Sequence, residues 1–554
     1  VFNYVRSYNL WLCLALLALF IPAAASRDFH TRGEGREALI VQNMLSEGQY
    51  ILAEGYAGDV PSKPPFLHWL AVISSGLLGQ LNEFSTRLPS VLAAIATGLW
   101  FFNFLSRYRS IWISISTVLI LSSSFEWLRA GATTRVDMLL AACVVVALTN
   151  LFSWVNNNYK GYPWLLSVAI LFAILTKGPV GAVLPAFVFI VYSLSTKVTA
   201  KLIFLRGCLL FVPATILASG WYVAAWLERP DDFINKVYYE NIARFLGQQE
   251  DDPHKASIFK LYLSVLVGFM PWTILLIMES FYFRFWRKLQ FTSFRTMFSR
   301  LDNLEIFSLI VIACTLLFYS IPESKRPVYL LPMYPFLSLF VVQWFMKLGR
   351  DTRIRTFNRM LSSLGLICLI LLPLSFTIPR LSLNRKLLEL SNSFVHFYSE
   401  QQLLFWLWLV VSSFFATLIV WIVRRQSNQK DTQVLFKYSI VLFISIVLYF
   451  QIFLVPAFVN PISAKKFVQK LPTHIFQAKR LLSYGEEFYA ISFYSHRRFY
   501  RGDREELLPE DLIFVSNKHM QEFLNQGYRA ELIYESEGSV ISFGKKIMIY
   551  KILG

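Results

Sequence analysis

The stretch TRVDMLLAACVVVALTNLFSW, Thr134 to Trp154, decides how this chain is read. From Val136 onward it is apolar for long enough to cross a bilayer, which takes about 20 helical residues. Yet it opens on two charges, Arg135 and Asp137. Comparable runs lie on both sides of it. They fall near 88–105 and 111–127 before it, and near 164–176, 179–195, 203–226, 258–283, 304–321, 327–346, 360–378, 403–423 and 434–456 after it. Asn9 to Ala25 adds a run that reads as a retained first span in preference to a cleaved signal peptide. Together they predict about 13 crossings. Phe66 to Leu78 is short and interrupted by His68 and Gly76, so it reads as an interfacial or re-entrant helix.

Composition agrees. Of 554 residues, 55% are apolar and only 16% charged, against roughly 25% charged in a soluble globular domain. A soluble or disordered chain is excluded. The net charge of +18 would suggest nucleic acid in a soluble protein. Here it follows the positive-inside pattern, in which short cytoplasmic loops carry the Lys and Arg. The basic loops hold Arg107 and Arg109, Lys160, Lys197 with Lys201, Arg284 to Arg300, Lys347 to Arg359, and Arg424 to Lys437. The alternate loops, Arg27 to Thr86, Glu228 to Ser257 and Pro379 to Gln402, mix acids with bases. The five cysteines lie in or beside apolar runs without CxxC spacing and read as small buried hydrophobes in preference to a disulfide framework or a zinc site.

The fold class is therefore an α-helical polytopic membrane protein with a small C-terminal α/β outer domain. Residues 1–456 form the membrane domain, with a large first outer loop at 27–86, and 457–554 form the soluble domain. In that tail, Glu487 to Tyr494, Asp511 to Val515 and Lys546 to Tyr550 read as strands, and His519 to Gln526 as a helix.

Charge near membrane depth is costly and defaults to function. The alternating topology gathers such charges at one outer surface: Glu34, Arg36 and Glu37 in the first loop, Lys63 ahead of the short helix, Asp137, Lys177, Glu240, Arg244, His254 and Lys325. Cations beside lipid suit an anionic, lipid-linked substrate, and a carboxylate can take the proton of an attacking hydroxyl. Plainer readings stand beside these. Glu34 to Glu37 could be a solvated turn, Lys63 a snorkelling cap, and Asp137 a helix N-terminal charge. Lys177 could be structural at its Gly-Pro break, and Glu240 with Arg244 a surface pair.

The order of Glu34-Gly-Arg, Lys63-Pro-Pro, Asp137-Met, Thr176-Lys-Gly-Pro, Trp221-Tyr, Glu240-Asn-Ile-Ala-Arg-Phe, His254, Pro271-Trp and Ser324-Lys-Arg-Pro-Val-Tyr-Leu-Leu-Pro resembles the polyprenyl-phosphate-sugar glycosyltransferases of the GT-C class. The pattern is similar to that of the aminoarabinose transferases of lipid A (ArnT) and of the protein O-mannosyltransferase-like enzymes, over roughly residues 1–350. The resemblance implies inverting transfer of a sugar from a polyprenyl phosphate to lipid A, another envelope glycan or glycolipid, or protein. It places the work at the periplasmic face of a bacterial inner membrane, with membrane lipids and no nucleic acid as further partners. It also implies that Arg36, Lys63 and Tyr329 face the donor phosphate, that Lys177 and Arg244 add positive charge, that Asp137 is acidic in the pocket, and that His254 is a metal ligand. Two departures matter. Gly33 stands where the family usually has Asp, so the general base is open among Glu34, Glu37 and Asp137. Ser62 stands where the aminoarabinose branch has Glu, and a lone histidine with a serine is a poor divalent-cation site. The cofactor is left unknown. The alternative function is a transporter or flippase of lipid-linked saccharides, which would place charge at the midplane of paired repeats; none is visible in the sequence.

Overall fold

The computed structural model describes residues 2–61, 63–243, 255–274, 276–277, 301–347, 447–503, 505–540 and 545–553, and singly 414, 421 and 444. Helices dominate. In chain order they are α1 (Phe2–Ala25), α2 (Arg32–Glu47), α3 (Phe66–Leu78), α4 (Glu83–Leu105), α5 (Ile111–Ser123), α6 (Phe125–Gly131), α7 (Val136–Asn156), α8 (Trp164–Lys177), α9 (Val180–Ser195), α10 (Ala200–Glu228), α11 (Pro230–Tyr238), α12 (Ile258–Gly268), α13 (Asn303–Ser320) and, after a short 3-10 segment at Pro327–Met333, α14 (Tyr334–Lys347).

Among the described residues six helical segments are long and apolar enough to cross a membrane, or up to eight if each of two bent pairs is one span. One such pair is α5 with α6, bent by 71° after Ser123. The runs expected near 164–176 and 179–195 form helices of 14 and 16 residues, below the usual spanning length. The run near 360–378, and most of those near 403–423 and 434–456, lie outside the described residues. The short helix expected over 66–78 is α3, with those bounds.

Local chemistry sets the helix ends around the site. Thr31 caps α2 by accepting from the Glu34 amide, and Gly48 ends it in the left-handed region. Asn82 and Ser85 close a capping box on α4, and Asp302 with Glu305 does the same on α13. Gly178 (φ 74°) turns the chain from α8 straight into α9. The bundle interior is aromatic, with Phe336 edge-on to both Phe101 and Phe307. Of the five cysteines, Cys368 lies outside the described residues; Cys314 is buried, Cys13 and Cys143 are half-buried, and Cys208 is exposed. Burial is therefore not general, because α10 turns most of its surface outward and Cys208 lies on that helix.

The C-terminal part carries a five-stranded mixed sheet: β1 (Leu481–Tyr484), β2 (Phe499–Arg501), β3 (Leu512–Ser516), β4 (Ala530–Glu535) and β5 (Ile547–Ile552). The order is β2-β1-β3-β5-β4, parallel on the β2-β1-β3 side and antiparallel from β3 onward. Strands β3 and β5 and the helix at Met520–Leu524 match expectation. Glu487 to Tyr494 does not. Tyr489–Ser495 is a helix, because Ala490, Ile491 and Phe493 must face the sheet core and α2 together. Gly35 permits that approach: a β-carbon there would come 2.8 Å from the Ala490 amide nitrogen. Tertiary packing has overridden β propensity.

Candidate active site

The ends of α1, α8 and α13 and the starts of α4 and α7 meet at one end of the bundle, and α2 and α3 are laid against them. The charged side chains there fall into two groups that differ in purpose.

In the first, Arg87 Nε donates to Glu34 Oε1 at 2.8 Å, and both side chains are fully buried. Arg87 also donates to the carbonyls of Ala24, Arg27 and Asp28 at the end of α1. His30 Nδ1 lies 3.1 Å from the other Glu34 oxygen. Burial alone would raise the Glu34 carboxyl, but the Arg87 guanidinium outweighs it and holds the group well below the usual range. Glu34, expected among the candidate bases, is thus enclosed as the pin between α2, α4 and the end of α1.

In the second, Glu37 sits one turn further along α2. Its Oε1 accepts from Arg36 Nη2 and from Lys63 Nζ, each at 2.6 Å, and its Oε2 lies 2.9 Å from His68 Nε2. Burial works against this carboxylate's charge, while Lys63 and then Arg36 hold it well below the usual range. Lys63 in turn is pushed down to about 8, first by burial and then by Arg36, with Glu37 and Asp137 opposing. Asp137, in the first turn of α7, is ion-paired with Lys177 at the end of α8. The Lys177 ammonium lies 3.9 Å from the centre of the Tyr329 ring, a cation–π distance. Tyr329 stands 5.3 Å from Tyr319. Lys63 and Asp137 act on each other's charge, which joins the two ion pairs into one cluster.

Arg36, Glu37, Lys63, Asp137, Lys177 and Tyr329 are therefore brought together. Glu240 lies within the field of Arg36. Lys325 is used locally instead: its ammonium donates to the Ser320 and Pro322 carbonyls at 3.0 and 2.5 Å. Arg244, His254 and Ser62 lie outside the described residues. Sequence reading did not single out Arg87, and it treated His68 only as a break in an apolar run. The signal for His68 was its place in the first turn of the short helix, five residues after Lys63.

The fold and this cluster define a class: a multi-span helical membrane protein with a charged cluster at one bundle end and a small mixed sheet in its C-terminal part. Residues 62–221 match the family described as dolichyl-phosphate-mannose-protein mannosyltransferase. The whole chain superposes on the crystal structure of ArnT from Cupriavidus metallidurans bound to undecaprenyl phosphate, with a TM-score of 0.70 over 98% of each chain at 19% identity. The fold is shared. By sequence the chain is 28% identical over 382 residues to the undecaprenyl phosphate-alpha-4-amino-4-deoxy-L-arabinose arabinosyl transferase 1 of Pseudomonas fluorescens, covering 66% of each. It is 26% identical over 308 residues to an uncharacterized Aquifex aeolicus protein, covering 55% of this chain and 57% of that one. The chain thus matches somewhat under two thirds of the length of these curated relatives, and it is similar to the polyprenyl-phosphate-sugar glycosyltransferases of the ArnT kind.

Proposed function

We propose that this chain is an integral glycosyltransferase of a bacterial inner membrane, moving a sugar from a polyprenyl phosphate carrier to an envelope acceptor at the outer, membrane-proximal face. The observation that carries the reading is the joined cluster, in which Glu37 holds Arg36 and Lys63 while Asp137 holds Lys177 against Tyr329. Cations set in place by carboxylates are ready to receive a leaving phosphate without reorganising. The undecaprenyl phosphate in the ArnT crystal structure and the name of the Pseudomonas relative support that class of donor.

In the reaction, an acceptor oxygen attacks the anomeric carbon from the face opposite the phosphate. The new C–O bond forms as the bond to the phosphate oxygen breaks, so configuration inverts. The electron pair leaves with the polyprenyl phosphate, whose charge Arg36, Lys63 and Lys177 neutralise while the Tyr329 hydroxyl orients it. The acceptor proton passes to Asp137. Glu34 is enclosed, and the Glu37 carboxylate is shared among three partners. Among the described residues Asp137 makes a single ion pair, which makes it the better base of the three.

Residues 457–554 act as an outer-face domain that clasps the first loop. Arg498 pairs with Glu54 at 2.5 Å, and Arg501 pairs with Asp59. The basic loops at the opposite bundle end support this sidedness. The test is transfer by the purified protein from an undecaprenyl phosphate sugar to extracted envelope lipids, glycans and protein, read by mass spectrometry. Wild type should release the carrier phosphate and yield a sugar adduct, and D137N should not. If no donor in a sugar panel is consumed, the reading fails.

A further inference from the structure

The helix at Tyr489–Ser495 carries an aromatic side chain from the C-terminal part to the charged end of the bundle. It can lie against α2 because Gly35 has no side chain, and Ala490 fills that space. Two ring contacts then hold Tyr489, the residue before Ala490. The Arg32 guanidinium lies 5.6 Å from the centre of its ring, a cation–π distance. The buried Tyr56 ring meets it edge-on at 5.2 Å. Glu487, two residues earlier, pairs with both Arg32 and Arg501, so the chain entering the helix is tied to α2 and to β2 at once. None of these contacts uses the Tyr489 hydroxyl.

Arg32 and Arg36 stand four positions apart on α2, so they share a face of that helix. A ring lying on Arg32, with its chain neighbour against Gly35, is therefore set beside Arg36. The Arg36 guanidinium and the Tyr489 phenol are close enough to interact electrostatically. Arg36 spends its Nε and Nη2 on Glu37, at 3.2 and 2.6 Å. The Tyr489 hydroxyl makes no hydrogen bond among the described residues, and its side chain is half-buried, which leaves the hydroxyl open to a ligand. A phenol offers one O–H donor. Given to an ionised phosphate oxygen, such a bond is shorter and stronger than one between neutral groups.

We propose that Tyr489 is a further donor-binding residue, whose hydroxyl donates to a phosphate oxygen of the carrier held by Arg36. The C-terminal part thereby supplies a group to a site whose other members, Arg36, Lys63, Lys177 and Tyr329, all precede residue 330. The phosphate site is complete only while the Tyr489 helix lies on α2, which gives the Gly35 contact and the Glu487 ion pairs a purpose beyond packing. This role rests on the proposed function, since it takes the ligand to be a polyprenyl phosphate. The test separates the two by reading binding of the carrier before any effect of the hydroxyl.

The full chain is placed in phosphatidylcholine nanodiscs and its unfolding midpoint followed as undecaprenyl phosphate is added, with undecaprenol, which lacks the phosphate, as control. In wild type the midpoint should rise with undecaprenyl phosphate and not with undecaprenol. Y489F keeps the ring on Arg32 and Tyr56 and removes only the hydroxyl. Its midpoint without ligand should match wild type, while its apparent affinity for undecaprenyl phosphate should fall about tenfold, the usual worth of a hydrogen bond to a charged group. In sugar transfer the donor KM should rise about as much with kcat little changed, a split that general loosening of the fold does not produce. Equal affinities in a responding wild type and Y489F would overturn the role of Tyr489 and leave the proposed function standing. A wild type that ignores undecaprenyl phosphate would sink both. A Y489F protein that unfolds clearly earlier than wild type without ligand would make the hydroxyl part of the fold, and the inference would fail on that result too.

Discussion

Glu34 and Glu37 stand one turn apart on the same helix, both buried and both ionised, and they do different work. Glu34 is closed off with Arg87, whose remaining donors tie down three backbone carbonyls at the end of α1. Glu37 faces two cations from different segments, Arg36 and Lys63, and steadies them beside Asp137 and Lys177. Burial and ionisation are common to both and so do not identify a catalytic carboxylate. What separates them is whether the partner cation has other obligations. Arg87 is committed to the fold, whereas Lys63 and Lys177 are held at their ammonium ends by one carboxylate each.

This contrast is open to direct attack. The largest effect is expected at Asp137: D137N should lower sugar transfer by about 10²–10⁴-fold, the usual worth of a positioned base, with a smaller loss of stability than R87A because the amide still accepts from Lys177, whose side chain is partly exposed. Retained transfer would remove Asp137 from the chemistry and reopen the choice among the three carboxylates. R87A should act the other way round. Breaking one side of a buried pair costs about 3–5 kcal/mol, so the detergent-solubilised protein should unfold much earlier and be recovered in lower yield. A stable R87A with impaired transfer would make Glu34 part of the site after all.

Lys63 sharpens the comparison through pH. Because its folded-state value is lowered from 10.5 to about 8, the unfolded chain holds the proton more tightly between those values. Stability from this group should therefore increase as pH rises through that window. Donor binding needs the ammonium and should weaken over the same interval. The two curves should run in opposite directions, and K63M should flatten both while raising the donor KM about tenfold or more. Parallel curves would show that Lys63 is structural. The smallest effect is expected for K325M, whose ammonium donates to the Ser320 and Pro322 carbonyls. Transfer should change by less than about threefold, with a stability loss on the order of 1 kcal/mol. A large loss of transfer there would extend the site to the loop after α13.

The helical fold class and the main spans could be read from the chain alone, because a run such as Val136 to Trp154 has few alternatives to a buried helix: in lipid each backbone amide must be satisfied internally. The short helix at 66–78 and the strands near 511–515 and 546–550 were legible from local pattern. The segment around Tyr489 was not. Its aromatics fit a strand as well as a helix, and the choice was made by Gly35 on a helix more than 450 residues earlier.

The candidate residues followed the same division. Sequence alone marked the charges that lipid makes expensive, since the cost of a charge near a membrane does not depend on which partner it finds. It could not say which carboxylate is enclosed and which is open, because that depends on pairings such as Arg87 with Glu34, 53 positions apart, and Lys177 with Asp137, 40 apart. Those distances collapse only when the helix ends converge, and Coulomb energy in a low-dielectric interior depends steeply on the separation that convergence sets. The amino acids determined that charge would be spent at one end of the bundle; the tertiary structure decided what each charge was spent on.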